Sequence, residues 1–298
     1  MQNNTLIDII GSFYDNIRDT QIDNVNDEID AHIYGRQNKN DDDIDYDEND
    51  DENYNSSQKK TIQKMCKLFK NILYDVDNIE IINQLIDIDP HFMLCLNPIN
   101  VTEDIKLKAL KINGDMLQFI DDQTVEMCNV AINLSPKALQ FVKDQTYDLC
   151  MIAISLDPYA IKYVNDGLID HDMCIVAIEI DPHAIKYINS KYIDYELCIV
   201  AIEINPCVIK YINSKYIDYD LCMKAVEIDG LTLQHIDEKF HDYDMCVRAI
   251  KNNPVSFRFV KKELHTSELC TLAITLDKNN IKFVNKAMLD TIAKHTGI

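Results

Sequence analysis

Seven cysteines recur at Cys128, Cys150, Cys174, Cys198, Cys222, Cys246 and Cys270, at steps of 22, 24, 24, 24, 24 and 24 residues. Thiols at regular spacing raise two chemistries, metal binding and disulfide formation. Zinc needs four ligands converging at about 2.0–2.3 Å, and a disulfide needs Cα atoms about 4.4–6.8 Å apart. Helix packing sets equivalent positions in successive helical repeats about 8–10 Å apart, too far for either. The column therefore reads as reduced, buried thiols that act as small apolar fillers. Cys66 and Cys207 lie outside the column with no Cys-x-x-Cys partner, and neither carries a redox role in this reading.

The other chemistry-bearing residue types are not arranged for catalysis. His171, His183, His235 and His265 fall at four different places relative to the nearest anchor cysteine. There is no His-Glu-x-x-His pair, no Gly-rich phosphate loop and no Gly-x-Ser-x-Gly elbow, and six glycines leave little material for one. The expectation is a protein that is not an enzyme and has no cofactor, metal site or catalytic residue.

What the cysteines mark is a repeat. Lys106 and Ile82 extend the same register by steps of 22 and 24 residues, giving nine repeats. Four residues before each anchor stand Asn78, Thr102, Thr124, Thr146, Asp170, Asp194, Asp218, Asp242 and Thr266, all of which accept hydrogen bonds from free helix N–H groups. Two residues before each anchor runs an acidic column, Glu80 to Glu268, where negative charge complements the helix dipole. Apolar residues follow at −1, 0, +3 and +4 of the anchor, as in Leu197, Cys198, Ala201 and Ile202, which is one helical stripe. A second capping residue comes at +7, and at +8 a proline in six repeats (Pro90, Pro136, Pro158, Pro182, Pro206, Pro254) or a glycine in two (Gly114, Gly230). The helix this opens is short, partly 3₁₀ in this reading, with an apolar residue at +11 and an aromatic at +13 in most repeats. One such pair cannot bury its stripe alone, whereas stacked copies share a continuous core. The predicted fold is an all-α solenoid of about nine two-helix repeats of 22–24 residues with an acidic disordered segment ahead of it.

The repeat columns, Asp/Thr-x-Asp/Glu-Leu/Met-Cys-x-x-Ala-Ile/Val and then Asp/Asn-Pro-x-x-Ile/Leu-Lys-Tyr/Phe-Ile/Val, resemble an uncharacterised helical repeat family abundant in giant viruses of amoebae. The resemblance covers residues 78–298 and is most specific from Cys128 to Val284. It implies the repeat fold and a viral origin, with the host cytoplasm as the setting, and it brings no catalytic residue or substrate.

Around the array the sequence divides into four parts. Residues 1–36 hold a short helical segment, with Leu6, Ile9, Ile10, Phe13 and Ile17 at helical spacing; 37–58 read as an acidic disordered linker; 59–77 as an N-terminal capping helix; and 78–298 as the solenoid. Asp290 reads as the start of a final helix that seals the last repeat. The balance of 29 Lys and Arg against 50 Asp and Glu, net −21, disfavours direct binding of nucleic acid. No apolar run approaches the roughly 20 residues of a membrane span, and the expectation is a soluble intracellular protein of unknown oligomeric state.

Function then rests on surface columns. Glu179, Glu203 and Glu227 stand at +5 of consecutive repeats, Lys162, Lys186 and Lys210 at +12, and Tyr147, Tyr195, Tyr219 and Tyr243 just inside the first cap. They are the candidate contacts for a protein or peptide laid along the repeats, a non-enzymatic interaction scaffold. The alternative is a structural or packaging protein whose acidic segment 41–52 holds a basic partner.

Overall fold

The computed structural model describes residues 7, 8, 10–12 and 48–296, and among these there is no β-strand. Residues 7, 8 and 10–12 are helical and Ile10 is buried; the rest of the expected N-terminal helix, and residues 37–47 of the expected linker, lie outside the described residues. The chain is an all-α repeat protein of the solenoid class. It divides into two compact units, Met1–Val142 and Lys143–Ile298.

The N-terminal unit contains α1 (Glu48–Leu73), α2 (Ile79–Ile88), α3 (Glu103–Ile112) and α4 (Val125–Leu134), the last three each followed by a six-residue 3₁₀ helix: Pro90–Cys95, Gly114–Phe119 and Pro136–Phe141. The helix α1 has bounds of its own. It begins at Glu48, inside the stretch expected to be a linker, and ends at Leu73 rather than 77. Further on, Met65, Phe69 and Leu73 recur every fourth residue, and all three are buried.

The C-terminal unit contains α5 (Tyr147–Leu156), α6 (His171–Ile180), α7 (Tyr195–Ile204), α8 (Tyr219–Ile228), α9 (Tyr243–Asn252), α10 (Ser267–Leu276) and α11 (Lys286–Thr296). Between them lie the 3₁₀ helices Pro158–Tyr163, Pro182–Tyr187, Pro206–Tyr211, Gly230–His235, Pro254–Phe259 and Lys278–Phe283. Within the unit, α6 packs on α7, on its own 3₁₀ helix and on the one before it, and the later repeats follow the same plan. The second helix of each repeat is 3₁₀ throughout rather than in part.

The reason lies in one residue. Asp181 is extended (φ −145°, ψ 113°); its N–H donates to Ala177 O to close α6, and its carboxylate accepts from His183 N at 2.9 Å to open the next helix. Pro182 favours that extended conformation at the residue before it and cannot continue α6. Where glycine or lysine replaces proline the cap alone suffices, since Asp229 and Asp277 hold the same dihedrals and each accepts a hydrogen bond from the second residue beyond it. The first caps work likewise: Asp170, Asp194, Asp218, Asp242, Thr146 and Thr266 accept from the third residue beyond them in this unit, as Thr124 does in the N-terminal one. Thr102 and Ser135 are the two exceptions, with no side-chain cap bond.

Inside, the anchor cysteines and the alanine three residues on are closed to solvent in every repeat from α5 to α10. Sequence periodicity missed one core column, at +10, which runs Ala160, Ala184, Val208, Thr232, Ser256 and Asn280 in this unit, all buried. Its polar members satisfy themselves: Thr232 Oγ1 donates to Asp229 O at 2.7 Å, Ser256 Oγ to Asn253 O at 2.7 Å, and Asn280 Nδ2 to Pro254 O at 2.9 Å. The last helix also departs from the repeat. Asn285 Oδ1 accepts from Met288 N at 2.8 Å, so α11 starts at Lys286 and Asp290 falls a turn inside it. An upstream cap took the place of the expected one.

Candidate interaction surface

With the stripe at −1, 0, +3 and +4 turned to the core, each ten-residue helix of the C-terminal unit keeps its other six positions, −3, −2, +1, +2, +5 and +6, outside the buried stripe. At +6 the residue is apolar in four consecutive repeats: Leu156, Ile180, Ile204 and Ile228 are 52%, 49%, 48% and 43% exposed. At +2, one turn back, stand the half-buried Ile152, Val176 and Val200, giving way to Lys224 and Arg248 in the next two repeats. Sequence reading passed over this row because it lies off the buried stripe. The available signal was an aliphatic residue recurring where solvent should select a polar one.

The acidic candidates lie beside this row, and two of them are already engaged. Glu203 meets Lys224 Nζ at 2.5 Å and Glu227 meets Arg248 Nη1 at 2.5 Å, each across to the next repeat. In the N-terminal unit Asp87 and Lys108, at 2.8 Å, repeat the same register. Glu179 faces Val200 in that register and has no ion pair among the described residues. It is the one acidic candidate open to a partner.

The tyrosines act first as struts. Tyr195 Oη donates to Asp218 Oδ1 at 3.1 Å, Tyr219 hydrogen-bonds to Asp242, and His171 Nε2 stands 3.2 Å from Asp194 Oδ2, so the residue after one cap reaches the cap of the next repeat. Partial burial, with the hydrogen bond and charge of Asp242, pushes the Tyr219 hydroxyl up to about 12. Tyr147 and Tyr243 remain exposed, Tyr147 near the carboxylates of Asp170 and Asp172.

The lysine candidates belong to another layer, that of the 3₁₀ helices. Lys162 Nζ lies 4.9 Å from the Tyr163 ring and 5.2 Å from Tyr187; Lys186 lies 5.5 Å from Tyr187 and 6.0 Å from Tyr211; Lys210 lies 4.9 Å from Tyr211. Cations and rings thus alternate along three repeats. The structure joins the glutamates and tyrosines on one layer and sets the lysines on the other.

The cysteine column is chemically quiet. Burial pushes Cys150, Cys174, Cys198 and Cys246 up to about 11 and Cys222 up to about 12, so these thiols stay protonated at neutral pH. Among the described residues no three His, Cys, Asp or Glu side chains are grouped to hold a metal ion, and no helix is long and apolar enough to cross a membrane.

A family model described as a domain of unknown function (DUF4116) matches residues 218–265. The match opens on the cap Asp218 and closes one residue before the cap Thr266, so it spans two 24-residue repeats in the register derived above. No curated protein and no solved structure matches the chain.

Proposed function

We propose that the C-terminal unit is a non-enzymatic interaction scaffold that takes an amphipathic segment of a protein partner along the solvent face of α5 to α8. The carrying observation is the half-exposed row Leu156, Ile180, Ile204 and Ile228. One exposed aliphatic residue means nothing, but four in register form a continuous apolar strip of the kind that marks interaction sites. Caps and first turns add an exposed acidic edge, Asp170 and Asp172, Asp194 and Glu196, Asp218 and Asp220, alongside the strip. An acidic edge beside an apolar strip suits a helix or extended segment with one apolar and one basic side, for which charge sets approach and register while apolar burial gives affinity. The repeat resemblance to giant-virus proteins supports the cytoplasm of an infected amoeba as the setting.

A photo-crosslinking residue placed at Ile204 in the full chain, and a control at Lys186 on the 3₁₀ layer, tests this. A partner captured from Ile204 and not from Lys186, and lost in I180D/I204D, supports the reading. A partner captured equally from both places, or one that leaves when residues 37–58 are deleted or salt is raised, moves function to the acidic segment.

A further inference from the structure

We propose that Cys66 and Cys95 are a redox-active thiol pair that closes to a disulfide on reaction with a small-molecule disulfide such as oxidised glutathione, tying α1 to the first repeat. Sequence spacing leaves Cys66 without a partner; the fold supplies one.

The two cysteines are brought together by matched helical periods. On α1, Cys66 and Phe69 are three residues apart and share a side. On the 3₁₀ helix Pro90–Cys95, Phe92 and Cys95 are three residues apart, one full turn, and stand one above the other. These elements pack on each other, with the Phe69 and Phe92 rings edge to face, centroids 5.3 Å apart and planes at 81°. One turn away from that ring pair, back on α1 and forward on the 3₁₀ helix, Cys66 and Cys95 stand on the facing sides of the two elements, near enough for each thiol to act on the other's ionisation. Both are free thiols, Cys66 partly exposed and Cys95 fully buried.

Position and environment give them different parts. The neighbouring Cys95 thiol, helped by His91 and Lys70 and opposed by partial burial and by Asp89, lowers the Cys66 thiol below its usual range. The same neighbour and burial hold Cys95, which is closed to solvent, protonated. Cys66 is therefore the accessible nucleophile and Cys95 the resolving thiol, whereas the buried column cysteines offer no competing thiolate. In the first step the Cys66 thiolate attacks one sulfur of the oxidised glutathione, forming a mixed disulfide and expelling one glutathione thiolate. That thiolate, or water, takes the Cys95 proton. The Cys95 sulfur then attacks Cys66 and expels the second glutathione. Two protein thiols are oxidised to one disulfide, and one small disulfide is reduced to two thiols.

The test treats the reduced full chain with oxidised glutathione, blocks remaining thiols by alkylation and maps the products by mass spectrometry. The expected result is a linked peptide pair carrying Cys66 and Cys95, two hydrogen masses lighter than the separate thiol peptides, with the column cysteines alkylated only after denaturation. In Cys95→Ser, glutathione should accumulate on Cys66; in Cys66→Ser, Cys95 should stay unmodified. Wild type retaining glutathione on Cys66, leaving both thiols free, or oxidising column cysteines to the same extent, would each overturn the assignment. The wild-type arm decides by itself, so a variant that fails to fold leaves nothing open.

Discussion

The backbone N–H of Gly230 donates to Asn252 Oδ1 at 2.9 Å, a bond from the start of one 3₁₀ helix to the end of the next repeat's α-helix. Six repeats put proline at this position and have no N–H to satisfy; this one keeps the donor and takes its acceptor from α9. Asn252 also donates to Glu227 O at 2.9 Å, so one amide side chain serves both the end of α8 and the start of the helix after it. Asn252→Ala should therefore destabilise the chain by about 1–3 kcal/mol through the unpaired groups it leaves, read as a lowered urea midpoint.

Gly230 has a second constraint. A Cβ built there would stand 2.3 Å from Ala249 O, a backbone atom of α9 that cannot swing aside. Gly230→Ala should cost about 1–3 kcal/mol through overpacking, and Gly167→Ala, in a turn where nothing lies within 4 Å, provides the control substitution. Equal urea midpoints for the two variants would mean the repeats part freely at this joint.

The repeat period, the caps and the buried stripe were legible because each follows from local chemistry: Asp181 ends one helix and opens another by its own backbone and carboxylate, whatever surrounds it. The +10 column was not, since Thr232, Ser256 and Asn280 look like surface residues until their partners, Asp229 O, Asn253 O and Pro254 O, are seen. Two of those bonds are internal to a repeat, but the Asn280 bond crosses 26 residues and no local rule anticipates it. The pairings on the candidate surface were hidden for the opposite reason. Glu203, Glu227 and Tyr195 were picked as residues free to bind, yet pairing with Lys224, Arg248 and Asp218 depends on a neighbouring repeat in the right register. The Cys66–Cys95 pair likewise depends on how α1 packs.

The Asn280 amide gives a stability prediction of its own. Its Nδ2 donates to Pro254 O in one repeat and, at 3.1 Å, to Ala273 O in its own. Asn280→Ala would copy the residue found at Ala160 and Ala184, yet it should destabilise the chain by about 1–3 kcal/mol, because the buried amide bonds to Pro254 O and Ala273 O are lost, Ala273 O keeping only its bond from Asp277 N. Hydrogen exchange should locate the loss in α10 and the helix Lys278–Phe283. Unchanged protection there would show that water replaces the amide.

Stability should fall at alkaline pH because of the cysteine column. An unfolded thiol ionises near 9.0, whereas Cys150, Cys174, Cys198 and Cys246 are held at about 11 by burial. Below pH 9 both states are protonated and the neutral thiols cost nothing extra. Between pH 9 and 11 only the unfolded state loses its protons, so the free energy of unfolding drops with rising pH. Urea titrations across that window should show a negative slope that flattens in Cys174→Ala/Cys198→Ala, whatever that variant's stability at pH 7. An identical slope in both proteins would assign alkaline loss to other groups.

Glu179 and Glu203 stand at equivalent positions one repeat apart, and only Glu203 meets a cation, Lys224 Nζ at 2.5 Å. The pair is half exposed, so it contributes no more than about 1 kcal/mol, screened further by salt. Glu203→Lys should lower the urea midpoint slightly at low salt, and Glu203→Lys/Lys224→Glu should restore it. Glu179→Lys removes no ion pair and should leave the midpoint unchanged. On the proposed interaction surface the order reverses: Glu179 is the carboxylate available to a basic group of the partner, so Glu179→Lys should reduce crosslinking from Ile204 more than the double exchange at 203 and 224 does. Stability and capture measured on the same three proteins separate a strut between repeats from a contact with the partner, and equal capture by all three would remove Glu179 from the binding surface.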